Sequence, residues 1–222
     1  MNRYMKRAVL FFFVIVATSI HAQYKNNMDN YPKYTIAVQP FYLLNGGLRF
    51  DFEKQLNSPK NWLQLSISGY HLPYQNSNWD WWETPNSNYD PISKLNGLGA
   101  GAAYKSIFYS TSVYYSAGLS YTHYRVTYSG ADYHKFVEDG LTYYEYYRSD
   151  QKQIFNKLTA SLCLGIQSTL NNLGFFDAYL GLGYSHSFYD ASKRAFDDNQ
   201  FGYGYRGLHV TGGVRFGITF GR

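Results

Sequence analysis

From residue 34 onward, apolar residues recur at every second position in eight stretches, the period of a strand with two unlike faces. The last stretch is the clearest. Leu208, Val210, Val214, Phe216, Ile218 and Phe220 fall on one face, and His209, Thr211, Gly213, Arg215, Gly217 and Thr219 on the other. Residues 158–167 set Leu158, Ala160, Leu162, Leu164 and Ile166 against Lys157, Thr159, Ser161, Cys163, Gly165 and Gln167. Residues 178–185 oppose Ala178, Leu180, Leu182 and Tyr184 to Tyr179, Gly181, Gly183 and Ser185. The remaining predicted strands are Tyr34–Leu44, Leu48–Gln55, Trp62–Leu72, Leu95–Lys105 and Val113–Tyr128. An extra hairpin through Tyr143–Tyr147 is a less favoured alternative to this set.

Connection lengths give the strands an order in space. Predicted strands two and three, four and five, and six and seven are joined by short turns at 56–60, 106–112 and 170–174. Three other connections are long and rich in polar and aromatic residues, at about 73–93, 129–152 and 189–204, and only Asn45-Gly46-Gly47 departs from the alternation. Short turns on one side and long loops on the other are the pattern of an outer-membrane barrel. The polar face carries Gly, Ser, Thr and Gln, small enough for the lumen of an eight-stranded barrel. Aromatic residues gather near the strand ends (Tyr34, Tyr42, Trp62, Tyr104, Tyr115, Tyr121, Tyr184, Phe220), as in the girdles at membrane interfaces. The expected fold is all-β: an eight-stranded antiparallel transmembrane β-barrel.

Composition agrees with this picture. The 222 residues are 20% aromatic and only 16% charged, against about 25% charged in typical soluble domains. A mean hydropathy of -0.40 excludes a bundle of membrane helices. Residues 1–22 read as a cleavable signal peptide, with Arg3, Lys6 and Arg7 before an apolar run from Ala8 to Ile20; the barrel domain is then 23–222. The signal holds three of the 20 basic residues and none of the 15 acidic ones, which leaves 17 against 15, a net +2. No basic cluster points to nucleic acid. The single cysteine, Cys163, cannot form an internal disulfide.

From Tyr34 to Phe220 the chain resembles a small outer-membrane β-barrel of the OmpA/OmpX or porin-like superfamily. The stretch Gly213-Val214-Arg215-Phe216-Gly217-Ile218-Thr219-Phe220 resembles the terminal strand that barrel-assembly machinery reads, although two residues, Gly221-Arg222, follow the aromatic. The resemblance implies the outer membrane of a Gram-negative bacterium, with outer-membrane lipid and the assembly machinery as partners. It implies no one activity, because this architecture hosts adhesins, lipid enzymes, pores and anchors.

Candidate chemistry divides into lumen and loops. Arg49, Asp51, Glu53, Lys157 and Arg215 share the polar face and form the expected lumen charge network, since buried charges require pairing or solvation. An ion-pair plug is the expected role, a narrow ion-selective pore the alternative. In the loops, Trp79, Trp81 and Trp82, and Tyr143, Tyr144 and Tyr146, offer stiff surfaces for a surface glycan or protein ligand. Ser185-His186-Ser187 invites comparison with outer-membrane lipid A deacylases, but adjacent residues on a strand face opposite ways. His134, Glu138 and Asp139 match no closed metal site. The expectation is surface recognition or envelope stabilisation, with no catalytic residue, metal or cofactor.

Overall fold

A computed structural model describes residues 32–72, 92–108, 112–170, 173–190 and 202–221; the proposed signal peptide and Trp79, Trp81 and Trp82 lie outside the described residues. Eight strands follow one another around a closed antiparallel barrel: β1 (Tyr34–Gln39), β2 (Gly47–Gln55), β3 (Asn61–Leu72), β4 (Ile92–Ile107), β5 (Val113–Glu138), β6 (Leu141–Leu170), β7 (Gly174–Phe188) and β8 (Gly207–Phe220). Each strand pairs with its sequence neighbour, and β1 closes on β8 from Tyr34↔Phe220 to Val38↔Phe216. Closure leaves no open edge around the barrel, so each strand's backbone donors and acceptors are met by its two neighbours.

The period-two pattern sorts the side chains. Thr35, Ala37 and Gln39 on β1, Asp51 and Glu53 on β2, Trp62 and Gln64 on β3, Lys105 on β4 and Arg215 and Thr219 on β8 are buried in the lumen. Their neighbours point outward: Ile67 is 63% exposed, Leu98 73%, Leu162 68% and Leu208 71%. The polarity is the reverse of a soluble barrel's. A wall this apolar cannot be left in water, because exposed apolar patches on soluble monomers rarely exceed a few hundred Å².

Two predicted elements are corrected. Predicted strand one stops at Gln39, and Pro40–Asn45 forms a 3-10 helix, closed by Gly46 at φ 65°. Pro40 has no amide hydrogen to continue the ladder. The segment 129–152, read as a loop, continues β5 and β6 as a hairpin arm, paired in register from Ser129↔Asp150 to Glu138↔Leu141. Among the described residues, pairing to β4 ends at Tyr128 and pairing to β7 at Asn156. Asp139 (φ 51°) and Gly140 (φ 77°) make the turn at its tip, the conformation that Asp-Gly favours in a two-residue hairpin. The alternation simply runs on in Tyr and charged residues, which hid the strands.

The β1–β8 seam is tight at Gly217, where a side chain would meet the Ile36 carbonyl oxygen and Ala37 Cα. Gly217→Val therefore costs about 1–3 kcal/mol of stability by overpacking. Urea unfolding of detergent-folded protein, read by the heat-modifiable gel shift, checks this; an unchanged midpoint contradicts the close seam.

Candidate functional site: a charged plug beneath an aromatic layer

The alternation of β2, β4, β7 and β8 delivers ionised groups to one level of the lumen. Arg215 is 2% exposed and is caged by acids. Its Nη1 lies 2.7 Å from Glu53 Oε1 and 3.8 Å from Asp51 Oδ2, and its Nη2 donates to Asp177 Oδ2 at 2.7 Å. Lys105, wholly buried, donates from Nζ to both oxygens of Glu53 at 3.2 and 3.0 Å and to Asp177 Oδ2 at 3.2 Å. Its ammonium stands 4.2 Å from the centre of the Tyr114 ring. Tyr114 in turn donates its hydroxyl to Asp177 Oδ1 at 2.7 Å.

Arg49 extends the cluster toward the middle of the barrel. Its Nε donates to Asp51 Oδ1 at 2.9 Å and its Nη1 to the Tyr42 hydroxyl at 3.1 Å. Gln64 donates to the same Asp51 oxygen at 2.9 Å. The three cations Arg49, Lys105 and Arg215 thus balance the three acids Asp51, Glu53 and Asp177. Charge neutrality is what makes the burial tolerable, since removing one partner of such a set leaves an uncompensated charge.

Toward the arm end of the barrel the lumen changes character. Leu95, Tyr124, Val126, Tyr128 and Phe155 form a buried cluster, joined by Tyr70, Leu72, Tyr189 and Tyr203. Tyr124 meets Tyr70 edge-on at 5.0 Å and Tyr203 at a tilt at 5.1 Å. Residues 202–206, just before β8, fold onto this layer: Ser187 donates to the Tyr203 and Tyr205 carbonyls at 3.3 and 3.0 Å. A cavity of about 50 Å³ beside Arg49, lined also by Gln64, Ser66, Ser120 and Ser161, has room for water. The lumen is therefore filled by two unlike layers, one ionic and one aromatic.

The structure brings Arg49, Asp51, Glu53 and Arg215 together but not Lys157. Lys157 faces inward at a different height and donates to the Gly202 carbonyl at 3.1 Å. Lys105 and Asp177 take its place, and sequence reasoning missed both. The signal was parity: Leu98 and Ala102 face outward on β4, and Leu180 and Leu182 on β7, so Lys105 and Asp177 face in.

Tyr143, Tyr144 and Tyr146 are all on β6 in the arm, divided between its faces. Tyr143 stacks on Phe136 at 5.4 Å, whereas Tyr146 meets Tyr133 edge-on at 5.6 Å across the other face, which also carries Tyr144. Ser185 and Ser187 are buried, while His186 points away from them and packs edge-on against Phe188 at 4.6 Å. His134 stacks with Phe136 on the arm. Among the described residues, no group of three or more His, Cys, Asp or Glu side chains could hold a metal ion.

Fold and lumen together define a plugged eight-stranded antiparallel barrel with an apolar outer wall. No protein-family model matches the chain. No curated protein matches it either. Among solved structures it is similar to CarO of Acinetobacter baumannii, at 11% identity and a TM-score of 0.43, over 88% of this chain and 100% of that one.

Arg215 and Lys157, which the sequence analysis places in one network, separate the plug from its surroundings. Arg215→Met leaves Asp51, Glu53 and Asp177 facing only Arg49 and Lys105, one buried negative charge uncompensated, and lowers stability by about 3–5 kcal/mol. Lys157→Gln loses one hydrogen bond, worth about 1 kcal/mol. Equilibrium unfolding in micelles distinguishes them, and equal effects rule out a structural plug at Arg215.

Proposed function

We propose that this protein is an integral outer-membrane barrel, non-enzymatic and closed to diffusion, that holds the β5–β6 arm at the cell surface for recognition. The observation that carries the reading is the distribution of charge: Arg, Lys, Asp and Glu fill the lumen and are missing from a band of the outer wall. Outward residues from Tyr104 to Asn96 on β4, Val113 to His123 on β5, Leu158 to Ser168 on β6 and throughout β7 and β8 include no Lys, Arg, Asp or Glu. Val113–Tyr121 alone spans nine residues, matching the roughly 9–11 residues of a tilted membrane strand.

Aromatic pairs mark the two borders of the band. At the end holding the termini, Tyr34 stacks on Phe220 at 5.6 Å and on Phe52 at 6.1 Å. Toward the arm, Tyr121 donates to Asn156 Oδ1 at 2.7 Å, an amphipathic side chain anchored where lipid gives way to water. The arm rises from this second border and shows Tyr133, Tyr144 and Tyr146 more than half exposed. Rigid aromatic surface of this kind suits a glycan or a protein partner. The plug supports a closed lumen over a pore, and the burial of Ser185 and Ser187 away from His186 supports a non-enzymatic role.

Trypsin added to intact cells is expected to cut the arm at Lys135, Arg148 or Lys152 and to leave a membrane-embedded barrel in the outer-membrane fraction. Purified protein is expected to give no stepwise conductance in a planar bilayer. Recovery in the soluble fraction without detergent would falsify the membrane reading; regular conductance steps would remove the closed lumen.

A further inference from the structure

Above the apolar band the outer wall is lopsided in charge. On β4, β5 and β6 the outward face carries Lys94, Arg125, Lys152, Arg148 and Lys135, all exposed, with one acid, Asp150, standing between Lys152 and Arg148. Register sets them side by side. Lys94 pairs with Thr127, and Thr127 with Lys152, so the two lysines flank one rung. Arg125, one outward position closer to the lipid, sits between Asn96 and Ile154. The level is marked by hydrogen bonds of interfacial character: His71 Nδ1 to Asn96 Oδ1 at 2.8 Å and His123 Nδ1 to Asn156 Oδ1 at 2.8 Å.

The opposite wall has no counterpart. Among the described residues of β1, β2, β7 and β8, the outward positions at that end are apolar or uncharged, such as Val38, Leu48, Phe188 and Leu208. Arg206, in the segment before β8, donates to the Ser187 carbonyl at 2.8 Å, with its guanidinium 4.5 Å from the Tyr189 ring centre. Farther up the cationic wall come Tyr133, Tyr144 and Tyr146, exposed on the same face as Lys135.

Beneath the same strands the wall is indented. A concavity of about 700 Å³ has Ala102, Ala117 and Ala160 as its floor and Leu119, Leu162 and Leu182 among its sides. Small residues on three neighbouring strands make the dent, and the longer leucines frame it. From Lys94 to Ala102 on β4 is eight residues, roughly 25 Å along the strand at about 3.3 Å each. With strands tilted about 45°, the dent lies roughly 18 Å below the cations, the depth reached by a long acyl chain.

We propose that the outer wall of β4, β5 and β6 is a binding site for a membrane lipid with a phosphate-bearing sugar headgroup. Lys94, Arg125 and Lys152 receive the phosphates, the arm tyrosines border the sugars, and an acyl chain lies in the concavity below. Charge complementarity selects this occupant: among the described residues, Lys94, Arg125 and Lys152 face the single acid Asp150 near the height where headgroup phosphates stand, with Arg148 and Lys135 farther up the arm, and such a surface draws an anionic lipid rather than a zwitterionic one. The site rests on the membrane reading above and deepens it by naming what the surface holds.

The test uses full-length protein in phosphatidylcholine nanodiscs containing diphosphorylated lipid A or the same lipid dephosphorylated. Lipid retained through extraction into mild detergent is counted by native mass spectrometry. The expected result is at least about ten-fold greater retention of the phosphorylated lipid, lost in the K94Q/R125Q/K152Q variant, as the removal of several surface-near cations requires. Inorganic phosphate is expected not to displace the lipid, and Ala117→Phe with Ala160→Phe, which fills the dent, is expected to lower retention while the heat-modifiable fold persists. Equal retention by wild type and the triple variant, or of both lipids, overturns the site. Displacement by inorganic phosphate overturns a lipid occupant, and undiminished retention by the filled variant overturns the acyl groove. Failure to enter phosphatidylcholine discs at all removes the membrane reading and the site with it; entry without lipid preference removes the site alone.

Discussion

An eight-stranded barrel has an interior about as wide as its own side chains, and Arg215 sits in the middle of that space. Its guanidinium reaches acids on β2 and β7, and Lys105 from β4 reaches the same two acids. Arg215–Asp177 joins the neighbours β7 and β8, and the other three bonds tie β8 to β2, β4 to β2 and β4 to β7 across the lumen, where no backbone pairing reaches. The backbone ladder closes the circle, and the ionic cluster fixes which way the inner faces are turned. An outer wall made for apolar surroundings has no other place to put these charges, so the polarity of the wall and the neutrality of the plug are one constraint seen from two sides.

The aromatic layer solves a different problem at the other end. Tyr124 meets Tyr70 edge to face and Tyr203 at a tilt, while Phe155 and Tyr189 close the side. These residues come from β3, β5, β6 and the two ends of the β7–β8 connection, so the segment before β8 is seated by packing as well as by its hydrogen bonds to Ser187. The ionic layer holds strands together across the lumen, and the aromatic layer holds a connection down upon it. The arm rises beyond both.

How much of this was legible in sequence depended on which coordinate was asked for. Alternation gives the face of a residue, and the eight strands with their inward and outward sides were readable from it. Height along the barrel axis is another matter. It is fixed by the stagger between strands, which no single strand contains; Lys157 has the correct face and the wrong level. Lys105 was obscured by the run Gly97-Leu98-Gly99-Ala100-Gly101-Ala102-Ala103, whose small residues blur the contrast between faces. Asp177 fell just before the predicted start of its strand. The arm was hidden because its outward positions turn from Leu to Tyr, Lys and Arg once they leave the apolar band, while its backbone pairing continues unchanged.

That unbroken pairing has a mechanical consequence. Ser129–Glu138 extends roughly 30 Å at a rise of about 3.4 Å per residue, without a joint between it and the barrel wall. A pull at the Asp139-Gly140 tip along the strand direction loads the β4–β5 and β6–β7 ladders lengthwise, so many hydrogen bonds share the force instead of parting one at a time. A tether anchored in this way fails last where it enters the wall. The arm is a strut whose strength comes from the barrel's own seams.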